Sequence, residues 1–162
     1  MVIRKAVPAD AAQLVDLMKH VEESNYMLFE PGERKTSAEQ LQQRLIAMDD
    51  KSIVLVAEEQ MELKGYLFAI NEGVRRKRHS IYVAIGIVQE ERGKGRGTQL
   101  FQSLEQWAKD SSIHRIELTV LEHNQAAVAL YKKMGFQVEG LKRDSLLVGG
   151  NYVNELYMSK LF

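Results

Sequence analysis

Between Ser80 and Ala108 the apolar pattern of the chain changes period, and it does so across a run of glycines. The segment "SIYVAIGIV" (80–88) is apolar and β-branched almost throughout, which marks a buried strand. "QEERGKGRG" follows, with Gly93, Gly95 and Gly97 at alternate positions among Arg92, Lys94 and Arg96. From Thr98 onward Leu100, Phe101, Leu104, Trp107 and Ala108 fall on one helical face. A buried strand that runs into an amphipathic helix needs that helix packed on a sheet, so the chain folds as a mixed α/β domain. The junction also has a chemical meaning. Glycines permit positive φ and let a ligand approach bare backbone. A helix start offers unpaired N–H groups and the positive end of the helix dipole, and the basic side chains add charge. Together these features suit an anion, and phosphate above all.

The remaining segments fill in the domain. "MVIRKA" alternates like a short strand, and Asp10 is placed to cap a helix through Leu14, Leu17, Met18 and Val21. "ESNYMLFEPGERKT" (23–36) reads as a loop. Ser37 and Gln40 form a capping box that opens a second helix through Leu41, Leu45 and Met48. "SIVLVAE" and "GYLFAIN" are strand-like runs joined by a polar hairpin connection. After the glycine loop and its helix comes the strand "RIELTVL". Asn124 then opens a helix carrying Ala127, Leu130, Tyr131 and Met134 on one stripe, with Gly135 as C-terminal cap. The tail from Phe136 predicts two long strands turning at Gly149-Gly150-Asn151. The sum is one domain over residues 1–162, of α/β (α+β) class: a central sheet of about seven strands flanked by about four helices. No internal repeat or low-complexity linker divides it.

Composition narrows the chemistry. Lys plus Arg and Asp plus Glu both total 22, so the net charge is zero, whereas a dedicated nucleic-acid binder is usually clearly basic. There is no cysteine, hence no disulfide, no thiolate nucleophile and no Cys-ligated metal. No metal site is expected. The N-terminus lacks the apolar core of a signal peptide, and no apolar run reaches membrane-spanning length. The expectation is a cytoplasmic protein that binds neither membrane nor nucleic acid.

Three glycine-loop patterns compete for 92–98. A nucleoside-triphosphate loop needs G-x-x-x-x-G-K-[ST], which is absent. A dinucleotide fingerprint needs G-x-G-x-x-G in an early βαβ unit, whereas here the spacing is G-x-G-x-G, mid-chain, after a hairpin. The third pattern, [Q/R]-x-x-G-x-[G/A], is met by Arg92, Gly95 and Gly97. One strand later Asn124, Ala127, Leu130, Tyr131, Gly135 and Phe136 form N-x-x-A-x-x-L-Y-x-x-x-G-F. Strand, glycine loop, helix, strand and this second motif together resemble the GNAT superfamily of acetyl-CoA-dependent N-acetyltransferases. The element order of the whole chain fits that resemblance, most specifically from Ile81 to Leu141. The tail further resembles the branch of ribosomal-protein and L-amino-acid acetyltransferases.

The resemblance implies a GNAT-like fold, with a mixed, mostly antiparallel sheet, and acetyl-CoA as the co-substrate. By it, backbone amides and side chains of Arg92, Gly93, Lys94, Gly95, Arg96, Gly97 and Thr98 hold the pyrophosphate. Gly86 marks a bulge, a close backbone approach or a packing glycine, and the strand splays from its neighbour near it. By the resemblance, amides near Ile87 and Val88 pair with the pantetheine arm and the acetyl carbonyl. Asn124 is a helix cap and, by the resemblance, also a pantetheine ligand. Tyr131 is either core or, by the resemblance, the acid that protonates the departing thiolate. A phenol of pKa about 10 facing a thiol of about 8.5 gives up its proton uphill by about 2 kcal/mol in water.

The general base is not evident. No Glu or Asp lies in "SIYVAIGIV", and Thr119 stands where ribosomal-protein acetyltransferases usually carry Glu. Candidates are Glu117, Glu30, His114, His123 or a water relay. A weak base suits an α-amine, about a tenth neutral at pH 7, better than lysine, under about 0.1% neutral. The expected acceptor is therefore an amino acid, a related small amine or a peptide N-terminus. Tyr26, Met27, Leu28 and Phe29 form an apolar run in a loop, suited to lining an acceptor pocket or to packing in the core. The basic stretch 75–79 (Arg75, Arg76, Lys77, Arg78, His79) reads as a solvated hairpin loop, or as a contact for an acidic substrate or the coenzyme 3′-phosphate. A second reading is a non-catalytic acetyl-CoA-binding sensor. Homodimerisation through the two tail strands completes the expectations.

Overall fold

The computed structural model describes all 162 residues. Their order is β1 (Val2–Lys5), α1 (Ala11–Glu22), α2 (Ala38–Ala47), β2 (Ile53–Glu59), β3 (Glu62–Ile70), β4 (Ser80–Ile87), α3 (Arg96–Asp110), β5 (Arg115–Leu121), α4 (Gln125–Lys133), β6 (Gln137–Val148) and β7 (Asn151–Leu161). The strands form a single sheet in the order β1-β2-β3-β4-β5-β7-β6. Every neighbouring pair is antiparallel except the parallel pair β4–β5. A parallel pair needs a crossover, and the glycine loop with α3 supplies it.

The sheet buries both faces, so β2 and β3 are apolar nearly throughout. On one face Leu100, Phe101 and Leu104 of α3 and Tyr131 of α4 pack with Ile81, Val83, Ile116, Leu118 and Met158. On the other face Leu14, Val15, Met18 and Val21 of α1 and Leu41 of α2 pack with Val54, Val56, Tyr66 and Phe68. α1 and α2 cover that second face only over the first strands. Alternation therefore leaves Tyr82, Thr119 and Tyr157 on it without a helical layer, and Tyr82 and Tyr157 are exposed.

Local signals behave as the sequence predicts at several ends. Ser37 Oγ accepts from the Gln40 amide at 3.1 Å while Gln40 Oε1 accepts from the Ser37 amide at 2.9 Å. Asn124 Oδ1 accepts from the Ala127 amide at 3.4 Å. The β6–β7 turn places Gly149 and Gly150 at φ 57° and 82°, the conformation that two-residue hairpins demand.

One local expectation is corrected, and of the alternatives for Gly86 the packing reading holds. Asp10 does not cap α1: its side chain accepts from the Val7 amide at 2.7 Å and from Arg4 at 2.8 and 2.9 Å. The Arg4 guanidinium is the main reason its carboxyl lies below the usual range. Gly86 is not a bulge, because β3 and β4 keep continuous register from Ile70↔Tyr82 to Gly65↔Ile87. A Cβ there would meet the Tyr66 ring at 2.4 Å, so Gly86 is the hollow into which the paired Tyr66 lies. Gly86→Ala is expected to destabilise the fold by about 1–3 kcal/mol in urea unfolding, the usual cost of overpacking. Tyr66→Leu in the same chain should make that cost smaller than it is alone. Additive losses would show that the two positions do not share this contact.

Candidate active site

β4 and β5 hydrogen-bond only from Ser80↔Arg115 to Tyr82↔Glu117. Beyond Tyr82, β4 stays with β3 as far as Ile87, and β5 stays with β7 as far as Leu121. The two strands thus diverge like an opened V, leaving the β5-facing edge of β4 from Val83 onward without a partner strand. The opening is a cleft of about 600 Å³. Its lining includes the β4 edge, the glycine loop, Thr119 to Leu121, α4 residues that include Ala127, Leu130 and Tyr131, and Tyr26 to Leu28 of the loop after α1. The splay anticipated near Gly86 therefore begins earlier, just after Tyr82.

At one mouth lies the glycine loop. Gly93 and Gly95 have φ of 74° and 79°, and a Cβ at either would meet nothing within 4 Å. They are required by backbone shape, and the space above them is open. Gly95 is the N-cap of α3, whose first intrahelical bond runs from the Gln99 amide to the Gly95 carbonyl at 3.1 Å. The amides of Arg96, Gly97 and Thr98 precede that bond and have no intrahelical acceptor. Gly97 differs from its neighbours. It is buried, and a Cβ would lie 2.7 Å from Leu130, so its role is to let α3 approach α4.

The basic side chains separate. Arg92 lines the cleft, reaching the Ile87 carbonyl at 3.4 Å and the Tyr26 ring at 6.0 Å. Arg96 does not offer its charge to a ligand. Its buried guanidinium binds Glu91 at 2.6 Å and Glu59 at 2.8 Å, which leaves its backbone amide as the ligand-facing group. That guanidinium is the main cause of the lowered Glu91 pKa. Lys94 is outside the lining and 3.4 Å from Glu91. Val88 is also outside it and packs against the α1 side of the core. Lys133 of α4 supplies a cation the sequence reading did not single out, with Nζ 3.5 Å from Thr98 Oγ1. Its position beside the Tyr131 motif was the available signal.

Tyr131 reconciles its two sequence readings. The ring belongs to the core, 5.7 Å from Phe101 and 6.0 Å from Phe136. Its hydroxyl makes no hydrogen bond within the protein, yet the only sealed, unpartnered side-chain polar atom is Glu22 Oε1. The Tyr131 hydroxyl therefore opens onto the cleft that the residue lines. Burial pushes the phenol well above its usual pKa, so it stays protonated at physiological pH. Asn124 caps α4 from the cleft wall.

The opposite mouth lies on the face without helical cover. Tyr26, Met27 and Leu28 overhang it, so the apolar loop run divides: these three line the cleft while Phe29 sits beneath Arg34 at 4.6 Å. Tyr82 and Thr119 share a hydroxyl hydrogen bond of 2.7 Å across the root of the splay. Glu155 of β7 and Leu146 of β6 complete this wall. Neither was singled out from sequence, because both enter only through the register of the tail hairpin.

The four candidate bases do not line the cleft. Glu117 is bound by Arg115 at 2.7 Å, and Glu30 is exposed in the loop. His114 faces His79 at 6.3 Å, at the paired end of β4. The His123 ring lies 5.7 Å from the Tyr26 ring, tilted by 43°. The basic loop with Arg75–Lys77 precedes β4 and so lies a full strand length, about 25 Å, from the glycine loop. That separation removes it as a 3′-phosphate contact.

The acetyltransferase (GNAT) family profile matches residues 14–136. Among curated relatives, the chain is 33% identical over 93 residues to the L-amino acid N-acetyltransferase AaaT of Escherichia coli, covering 54% of this chain and 56% of that protein. The chain spans between 21% and 56% of the length of the curated relatives it matches first. Among solved structures, a GNAT-family acetyltransferase from Streptococcus pneumoniae superposes with a TM-score of 0.94 at 30% identity, covering 99% of this chain and 98% of the other. Ribosomal-protein-alanine N-acetyltransferase from Brucella melitensis superposes with a TM-score of 0.87 at 26% identity, covering 100% of both chains. No helix is long and apolar enough to cross a membrane. With the splayed parallel pair, the open glycine loop and a profile match spanning most of its length, the chain belongs to the acetyltransferase (GNAT) family.

Proposed function

We propose that this protein transfers acetyl from acetyl-CoA to a primary amine, the α-amine of an amino acid, a related small molecule or a protein N-terminus. The observation that carries the reading is the continuity of the cleft from an anion-ready helix start, past the Tyr131 hydroxyl, to a second mouth on the other face. The chain's residues fit acetyl-CoA. Gly93 and Gly95 leave room for a pyrophosphate, the first amides of α3 point N–H groups at it, and Arg92 and Lys133 add charge. The free edge of β4 around Ile87 offers backbone groups to an amide-bearing arm. The thioester supplies an activated acyl group when bound. Tyr131, kept protonated by burial, donates to the sulfur as negative charge grows there. With no cysteine, acetyl passes directly to the acceptor.

Thiol release tests the reading, measured with amino acids, polyamines, aminoglycosides and short peptides as acceptors. Release matched one-to-one by acetylated amine supports it. Tight acetyl-CoA binding without turnover across the panel would favour a sensor instead. For assembly, we propose a homodimer through β6, the edge strand of the sheet, which exposes Val138, Leu141 and Leu147. Sedimentation showing only monomer at micromolar concentration would remove it.

A further inference from the structure

The charges around the cleft are not evenly placed. Its cations are Arg92, Arg96 and Lys133, all from the glycine loop, α3 or α4, and Arg96 is already paired internally. On the uncovered face the lining carries no cation but one carboxylate, Glu155. Register fixes that placement. Leu156 and Met158 pack with the α3 side of the core, so Glu155, one residue before Leu156, points to the opposite face, beside its β5 partner Leu121. Glu155 has no ion-pair partner, and its Oε1 accepts from the Ser145 hydroxyl. The second oxygen is left without a partner. Lys142 lies directly across on β6, but its ammonium is over the Tyr157 ring at 6.0 Å and outside the lining, and Arg143 is exposed.

We infer that Glu155 is the group that receives the acceptor's ammonium and takes its proton, and that the acceptor is a primary amine whose neighbouring group is uncharged. The inference rests on the acetyl-transfer reading above and narrows its acceptor. A free amino acid carries a carboxylate one carbon from the amine. Holding its ammonium on Glu155 would bring that carboxylate against a like charge, while the cations of the lining, Arg92, Arg96 and Lys133, come from the glycine loop, α3 and α4 rather than from this wall. An amide, an ester or a plain alkyl carbon in its place removes the repulsion. Met27, Leu28, Leu121 and Leu146 surround the same mouth, so the group beyond the amine is apolar.

The step balances simply. Glu155 takes one proton from the bound ammonium, and the freed nitrogen forms the new C–N bond to the acetyl carbonyl carbon as the C–S bond breaks. The sulfur takes a proton from Tyr131, and the second proton on nitrogen returns to Tyr131 or to water. The net change converts R–NH3⁺ and thioester into R–NH–acetyl, free thiol and one released proton.

The test compares L-leucine, L-leucinamide, isoamylamine and the peptide amide Leu-Gly-Gly-NH2 as acceptors for the intact protein and for Glu155→Gln. With kcat/KM counted on the neutral amine, leucinamide should exceed leucine by at least about tenfold, the scale of one like-charge contact near a protein surface. The isoamylamine and peptide arms separate a small amine from a polypeptide source of the same chemistry. Glu155→Gln, which keeps shape and loses charge, should lower kcat/KM for leucinamide by about 10²-fold. Acetyl-CoA affinity should be unchanged, and the rise of rate with pH should move to the amine's own pKa. Leucine equal to or better than leucinamide, with normal thiol release, would overturn the inference and leave acetyl transfer standing. Calorimetry showing Glu155-dependent leucinamide binding without turnover would retain the acceptor assignment and overturn the transferase reading. Neither binding nor turnover of any uncharged-neighbour amine would overturn the inference outright.

Discussion

Replacing Tyr131 with Phe is expected to lower kcat about 10²-fold while the Kd for acetyl-CoA changes by less than about twofold. The ring makes its core contacts with Phe101 and Phe136 without help from the oxygen. The hydroxyl has no partner within the protein, so its loss should cost little stability. What it loses, on the proposed reading, is the proton donor to the departing sulfur. Burial raises the phenol's pKa, which makes full proton transfer harder than the about 2 kcal/mol of unperturbed groups. The same desolvation raises the departing thiol, so the mismatch is partly offset in the cleft. An acetyl thioester with a more acidic leaving thiol needs less help, and the Phe variant's loss should shrink with it. A kcat within about twofold of the parent, with chemistry rate-limiting, would leave Tyr131 as a packing residue only.

Arg34→Ala should destabilise the protein by about 3–5 kcal/mol, the cost of stranding a buried charge. Glu22, on the last turn of α1, is 1% exposed, and Arg34 Nε and Nη2 both bind its Oε2 at 2.7 Å. Its Oε1 already has no partner, so removing Arg34 leaves the carboxylate with none. Arg34 also lies 4.6 Å from the Phe29 ring and 3.3 Å from Thr36 Oγ1, tying the loop after α1 to the helix end. That loop carries Tyr26, Met27 and Leu28 in the cleft lining, at the mouth where the acceptor is proposed to enter. The variant should therefore raise acceptor KM far more than acetyl-CoA Kd. The double variant Glu22→Leu/Arg34→Met, apolar on both sides, should recover most of the stability in urea unfolding. A loss under about 1 kcal/mol for Arg34→Ala would show that the pair is not sealed as described.

The fold was legible because its signals are local. Periodicity, the Ser37 box, the Asn124 cap and the Gly149-Gly150 turn each act within a few residues, and the element order follows from them. Glycine roles were legible only in part. Gly95 needs positive φ, which a loop before a helix announces, but Gly86 and Gly97 are fixed by Tyr66 and Leu130, which are distant in sequence. Charge was harder to assign. Arg92 and Arg96 look alike in "EERGKGRG", yet the helix turns Arg96 onto Glu91 and Glu59 while Arg92 faces the cleft. The acceptor side was nearly invisible, since Tyr82, Thr119, Leu146 and Glu155 meet only through pairing of four strands. The carboxylate on that wall, Glu155, comes from the tail and was not among the sequence candidates Glu117, Glu30, His114 and His123.

The central claim is that the open glycine loop and the splayed strands bind acetyl-CoA specifically. Ligand-induced stabilisation tests it most directly, measured for the intact chain and for Gly95→Val with acetyl-CoA, ATP and NAD. At a hundredfold excess over its Kd, acetyl-CoA should stabilise the parent by about 2.7 kcal/mol, with ATP and NAD well below it. Gly95→Val should remain folded and lose the effect, because a β-branched residue resists the φ of 79° that opens the amides at the start of α3. Stabilisation by ATP or NAD equal to that by acetyl-CoA, or a full acetyl-CoA effect in Gly95→Val, would contradict the account.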